Sequence, residues 1–386
     1  MTAAQRSAAA RSARLAACTA ATILLAGCSF FGSLFAPDKP KPKDLEPIAA
    51  PITVRSAWNL GVGAVEFPLT VAVNGNVLTL GATDGTVLAV EAETGRVLWR
   101  VNIGGKISAG VGSDGTTSAV VTREGDLVAV EGAQVKWKRP LAVRVATAPL
   151  VAGGRIFVLG VDRSVHAFDA ADGVKLWQLQ RPGDPLMLSQ TGVLAAFKNT
   201  LIVGQGPRMA GIDPTSSVVR WEVPLGSPRG ANEVERLADL VGPVVRIGDV
   251  VCARSFQAAV GCVDAQLGTI AWTKQVGGTD AIGGDAELLF GADGSDRMSA
   301  WRMPTGDIAW TSESLMFREL GAPAVVAQSV AYGDGSGTVH FFSRAKGESQ
   351  ARTTTDGSAI TTPPISVAGL LIVVTRSGGV FAFRPA

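Results

Sequence analysis

A short phrase recurs along this chain, and its spacing leaves few folds open. Ala89-Val90-Glu91-Ala92-Glu93-Thr94-Gly95-Arg96-Val97-Leu98-Trp99 returns as Ala167-Phe168-Asp169 with Gly173 and Trp177, and as Cys262-Val263-Asp264 with Gly268 and Trp272. Weaker copies run Ala129-Val130-Glu131 with Trp137, Gly211-Ile212-Asp213 with Trp221, and Ala300-Trp301-Arg302 with Gly306 and Trp310. Phe341-Phe342-Ser343 with Gly347 ends on Ala351, where the tryptophan is lost, and Ala382-Phe383-Arg384 stops before one could follow. Trp58, in Val54-Arg55-Ser56-Ala57-Trp58, precedes the first full copy with no strand of its own to complete. A period of roughly 40–50 residues is that of a four-stranded propeller blade. The copies therefore predict eight blades, the last assembled from both ends of the chain.

Each copy supplies its strands in order: an apolar one such as Pro149-Leu150-Val151, a second such as 155–159, a third carrying Ala-x-Asp and a fourth carrying the tryptophan. The Thr-Gly or Asp-Gly between the last two suits a tight turn that needs positive φ. With 46 glycines and 20 prolines turns are well supplied, and no run after Gly27 reaches the roughly 18 apolar residues of a membrane helix. The expected fold is all-β: an eight-bladed β-propeller of four-stranded antiparallel blades over residues 53–386, closed by the N-terminal strand joining the last blade. Closure removes the free sheet edges that invite aggregation. Trp58, Trp99, Trp137, Trp177, Trp221, Trp272 and Trp310 are expected to pack blade on blade.

The same pattern speaks against catalysis. His166 and His340 are the only histidines, both on third strands, so a three-histidine metal site is impossible. Glu91, Asp169, Asp213 and Asp264 recur at one repeat position, where a turn or strand end needs a hydrogen-bonding group in every blade. No serine has a histidine base near it in the pattern. Gly104-Gly105 and Gly277-Gly278 precede no helix and read as turns. The formal charge of +2 includes Arg6, Arg11 and Arg14 at the N-terminus, and the remainder is close to neutral, which gives no footprint for nucleic acid. No catalytic, cofactor-binding or metal-ligating residue is assigned.

Those three arginines precede an apolar segment, Leu15 to Gly27, in the manner of a signal peptide. The segment closes on Leu25-Ala26-Gly27-Cys28, which resembles a bacterial lipobox. The resemblance implies a signal peptide of residues 1–27, cleavage before Cys28, and acylation of that cysteine with palmitate-class chains. Ser29, not being aspartate, implies transfer to the outer membrane. Residues 28–52 set Pro37, Pro40, Pro42, Pro47 and Pro51 among Lys39, Lys41 and Lys43, and read as an extended, lipidated tether.

The Ala-x-Asp-x-x-Thr-Gly-x-x-x-Trp phrase resembles the docking motif of quinoprotein-type propellers. Eight such blades behind a lipobox resemble the BamB family of outer-membrane assembly lipoproteins. That resemblance implies a non-catalytic scaffold, lipid-anchored to the outer membrane and facing the periplasm. It would bind the periplasmic domains of BamA within the β-barrel assembly (BAM) machinery and support insertion of β-barrel proteins, with nascent β-barrel chains as further partners. The competing reading is a small periplasmic quinoprotein (PQQ-type) dehydrogenase or a ligand-binding propeller. Such enzymes hold Ca²⁺ with carboxylates and a carbonyl and often carry a disulfide between adjacent cysteines, and this chain has no Cys-Cys pair.

Two connections break the blade spacing. One runs from Gln178 to Gln190 and the other from Gly226 to Leu240. Both join a fourth strand to the next blade's first strand, so they emerge on one face from consecutive blades and should form one patch. Leu186, Met187 and Leu188 would give it an apolar centre, and Arg229, Glu233, Glu235, Arg236 and Asp239 a polar rim. In the BamB family these loops hold BamA through Leu-x-Leu-Arg and Asp-x-Asp segments. Leu186 and Leu188 match the leucines and Asp239 the first aspartate, while Ser189 replaces the arginine and Val241 the second aspartate. The apolar half is kept and part of the charge is lost, with Arg236 or Arg229 in place to compensate. The expected partner-binding set is Leu186, Met187, Leu188, Ser189, Arg236 and Asp239.

Apart from Cys28 and Cys18 in the signal segment, the cysteines are Cys252 and Cys262, symmetric about Gln257 at a turn. Direct cross-strand neighbours come within disulfide distance, and an exported protein meets an oxidising compartment. A Cys252–Cys262 disulfide is expected; two buried thiols are the alternative.

Overall fold

The computed structural model describes residues 40–48, 52–181, 188–228 and 230–386. These form eight four-stranded antiparallel sheets. Blades one to seven use consecutive strands, within 72–102, 112–140, 150–179, 194–224, 240–274, 283–312 and 324–354. The eighth takes its three inner strands from 365–385 and its outer strand from Val54–Gly61, in the order 54–61, 379–385, 370–374, 365–367. Val54 pairs with Pro385 and Gly61 with Gly379, and the Ala386 amide donates to the Thr53 carbonyl at 2.8 Å. The eight-bladed propeller closed by both chain ends is thus as expected.

Strand composition follows position in the blade. In blade one, Val77–Gly81 and Thr86–Glu91 are buried almost throughout, while the outer strand Val97–Asn102 alternates exposed and half-buried residues. Inner strands lie between neighbouring blades and are covered on both faces, so they need continuous apolar runs; an outer strand has one wet side. The core is accordingly a series of clusters, several of which join neighbouring blades, such as Ile156 and Val158 with Ala119 and Val121.

The repeated phrase is explained by pairing across the third and fourth strands. Ala89 faces Trp99, Ala129 faces Trp137, Ala167 faces Trp177, Gly211 faces Trp221, Cys262 faces Trp272 and Ala300 faces Trp310. A register shift follows directly after each of these pairs. The small residue leaves room for the indole, and the bulge turns it toward the next blade. There the indole meets the repeat's glycine: a Cβ on Gly95 would lie 2.6 Å from Trp58, on Gly173 2.7 Å from Trp137, and on Gly347 2.5 Å from Trp310. These glycines have φ of +73°, +72° and +71°, so the turn and the close approach both require glycine. The Nε1–H groups of Trp58, Trp137, Trp177, Trp272 and Trp310 donate to Ala92, Ala170, Pro214, Met303 and Arg344 carbonyls at 2.7–3.0 Å. Trp221 packs on Gly268, and Trp99 packs against the cluster that holds Val128 and Val130 of blade two.

Cys252 and Cys262 are direct register partners in blade five and form a disulfide, S–S 2.03 Å, fully buried beside Trp272 and Met303. Part of the segment read as tether is not free: Leu45 packs on the body, and the main chain at Lys43 and Glu46 is hydrogen-bonded to it. Cys28 lies outside the described residues.

Candidate partner-binding face

The connection into blade four is fastened on both sides before it becomes a strand. The Gly192 amide donates to Thr147 Oγ1 at 2.8 Å, and the Gly242 amide donates to the Thr191 carbonyl at 2.8 Å. Gly192 also bridges Val241. This draws the start of blade five against the end of the first long loop. Leu188 then sits half-buried on Val241, Ala281 and Ala322. Val241, at the position where the resemblance expected an aspartate, is 5% exposed. The position has become part of the apolar floor under Leu188.

Asp239 lies elsewhere than the rim expected for it. It is 7% exposed. Its Oδ2 accepts the Leu188 amide at 3.0 Å, and its Oδ1 stands 4.0 Å from Arg163 Nη2. Arg163 comes from a turn of blade three, with φ +66°, so one carboxylate draws together parts of blades three, four and five. A buried carboxylate needs such donors, because an ungratified charge there is costly. Asp239 therefore holds the patch in shape, while Ser189 is exposed beside it. Leu186, Met187 and Arg229 lie outside the described residues.

The second loop is organised by its own side chains. Asn232 Oδ1 accepts the Glu235 amide at 2.9 Å, and Glu235 accepts from Asn232 Nδ2 and the Ala231 amide, both at 2.8 Å. Glu235, read from sequence as a rim residue, is an internal staple. The stapled turn lifts Val234, 68% exposed, with Glu233 and Arg236 into solvent. Sequence reasoning passed over Val234; an apolar residue between two glutamates in a long loop was the available signal.

A hollow of about 580 Å³ opens beside Leu188 and Ser189, walled by Phe67, Pro68, Val145 and Ala146, with Arg123 and Arg144 at its edge. Arg123 pairs with Glu66 at 3.4 Å. Arg144 is exposed and lines the same hollow as Ser189.

The motif carboxylates act as turn acceptors. Asp169 takes the Ala171 amide, Asp213 those of Thr215 and Ser216, and Asp264 those of Gln266 and Leu267, all at 2.8–2.9 Å. One expectation needs correcting: a serine and a histidine do meet. Ser164 Oγ lies 2.7 Å from His166 Nε2 and also bonds Asp162. The carboxylate bonds the serine instead of the imidazole, and the serine is fully buried, so this is a packed strand-end network and not a nucleophile with its base. His340 is matched to buried Asp334 at 2.9 Å.

The family model described as "Outer membrane protein assembly factor BamB" matches residues 83–312. A protein of that name from Bordetella pertussis is 32% identical over 368 residues, 94% of each chain. This chain belongs to the BamB family. A crystal structure of BamB from Moraxella catarrhalis superposes with TM-score 0.77 at 21% identity, covering 86% of this chain and 100% of that one. The quinohemoprotein alcohol dehydrogenase of Comamonas testosteroni superposes with TM-score 0.64 at 15% identity, over 86% of this chain and 76% of that one. BamB-family blades and quinoprotein blades thus share an architecture.

That likeness raises the question of a quinone cofactor. An axial hollow of about 370 Å³ is lined by apolar and polar side chains in similar measure, with Glu66, Asp280 and Arg376 as its charges. A quinone tricarboxylate calls for several cations, and this lining offers one guanidinium against two carboxylates; burial raises the Asp280 pKa. The residues do not fit the group.

Proposed function

We propose that this chain is a non-catalytic scaffold of the outer-membrane β-barrel assembly machinery, anchored through Cys28 and facing the periplasm. Its partner is the set of periplasmic domains of BamA, with nascent β-barrel chains as further partners. The observation that carries the reading is the joining of the two long connections into one surface by the Leu188–Asp239 bond, on the loops that the family uses. Leu188 supplies a floor-backed apolar contact, Val234 a second, and Arg236 and Arg144 the charges around them. Anchors of this kind dominate interfaces, each typically worth about 2 kcal/mol or more on truncation.

Leu186→Asp with Leu188→Asp is expected to abolish capture of BamA's periplasmic domains, at a stability cost of about 1–3 kcal/mol because position 188 rests on Val241, Ala281 and Ala322. Unchanged capture would sink the assignment. Cys28→Ala is expected to leave a folded propeller in the soluble periplasm; membrane retention after a high-salt wash would refute the anchor.

A further inference from the structure

The leader that precedes the ring is gripped by blade seven. The Lys43 amide donates to the Met316 carbonyl at 2.9 Å, and Arg318 donates back to the Lys43 carbonyl from Nε at 3.2 Å and Nη2 at 2.7 Å. Arg352 Nη2 donates to the Glu46 carbonyl at 2.6 Å. Between them, Leu45 packs against the cluster that contains Trp310 and Phe342. Farther along, the Ile52 amide reaches the Gln350 carbonyl at 3.2 Å. Met316 and Arg318 belong to the connection into blade seven, and Gln350 and Arg352 to its outer strand.

The grip is built in advance. Arg318 has a side chain only 15% exposed, with Nη1 3.6 Å from the buried Asp334 carboxylate, and its own amide bonds Asp296 at 2.6 Å. A guanidinium already fixed loses little rotamer freedom when it takes the Lys43 carbonyl. Blade seven also has room for a visitor, because Ala351 stands where an indole would lie, and Ile52 and Val54 pack against the cluster that includes Ala351.

We infer that the rim at blades six and seven is the side of the propeller turned toward the lipid surface, because the clamp makes the tether leave the ring there. The inference rests on the lipid-anchor reading of Cys28. The exit lies about three blades round from the Leu188–Asp239 patch, so the clamp fixes how that patch is presented relative to the bilayer. Between Cys28 and Lys43 the chain can span at most on the order of 50 Å; releasing residues 43–52 would add on the order of 30 Å and free the ring to turn.

Two measurements test this on the full-length acylated protein. Lys39 and Lys41 each precede proline, a bond that trypsin spares, so within residues 28–52 the cleavable lysine bond is Lys43–Asp44. Cleavage there is expected to be at least tenfold slower in the natural protein than in Arg318→Ala/Arg352→Ala. Leu45→Ser, which leaves the ring's own residues untouched, is expected to behave as the arginine variant does and serves if that variant misfolds. For orientation, a donor dye is placed on Glu313→Cys, in the connection into blade seven, or on Ala142→Cys, in the connection into blade three across the ring. The protein is then inserted in phosphatidylethanolamine–phosphatidylglycerol vesicles bearing a headgroup acceptor. Transfer is expected to be stronger from position 313, and the difference to vanish in the clamp variants. Equal transfer from both positions, or equally fast cutting with and without the clamp, overturns the inference. Protein that fails to float with vesicles removes the anchor reading and the orientation together, while protection at Lys43 would then show the clamp surviving without a membrane role.

Discussion

Phe341 faces Ala351 across the third and fourth strands of blade seven, in the register where the preceding six blades set a small residue against an indole. Large and small have exchanged sides. The reason lies next door: blade eight closes through the chain ends at Thr53 and Ala386, so it has no Thr-Gly turn on which an indole could lie. Ala351→Trp alone should overpack against Phe341 and cost about 1–3 kcal/mol, and Phe341→Ala alone should leave a cavity costing about 3–5 kcal/mol. The double variant should be less destabilised than the two together by about 0.5–3 kcal/mol. Denaturant unfolding of all four proteins checks it; strict additivity would show that the two side chains do not share a site.

Gly347 and Gly104 separate two effects that glycine combines. Both have positive φ, +71° and +75°, but a Cβ on Gly347 would meet Trp310 at 2.5 Å while one on Gly104 meets nothing within 4 Å. Gly104→Ala should cost about 1 kcal/mol from backbone strain, and Gly347→Ala about 2–4 kcal/mol, since the indole must also move. Equal losses in equilibrium unfolding would place Trp310 elsewhere in solution.

Asp239 is predicted to act on binding through the loop it holds. Asp239→Ala should raise hydrogen exchange at the Leu188 amide and weaken capture of BamA's periplasmic domains at least tenfold, at a stability cost of about 1–3 kcal/mol. Asp239→Asn keeps an acceptor and should fall between. Exchange at Leu188 that stays at the natural rate in the alanine variant would count against the clasp.

The two histidines make stability pH-dependent. Burial lowers the pKa of His340 below 6.5, partly offset by Asp334, and burial likewise lowers that of His166. In the unfolded chain both imidazoles take protons near 6.5, while the folded ones stay neutral, so protons favour unfolding and stability should fall as pH drops below about 6.5. Asp334 acts lower down: burial pushes its pKa up, but bonds from His340, Ser336 and Thr338 outweigh this and hold it at about 2. Its contribution is present above the ordinary value of 3.8 and disappears as pH falls toward 2. His340→Gln should flatten the upper slope in unfolding measured on either side of pH 6.5; an unchanged slope would mean that His340 is charged in the fold.

Much of this was legible in the sequence, because a repeat reports which residues occupy one structural position many times over. The Ala, Asp, Gly and Trp of the phrase, the eight blades, the closure by both chain ends and the pairing of Cys252 with Cys262 all follow from period and symmetry. What the period does not contain is contact between different copies or between unrepeated segments. Gly347 and Trp310 look like members of separate phrases, yet they touch, because ring closure brings each turn onto the preceding blade. Asp239 reads as a surface acid in a polar loop, and only the approach of blades three, four and five turns it inward onto Leu188. Likewise the run through Lys43 and Leu45 has the composition of free tether, since proline and lysine composition describes how a chain behaves alone. Its capture depends on Arg318 and Arg352, some 300 residues away, whose distance from it is decided by the closed ring.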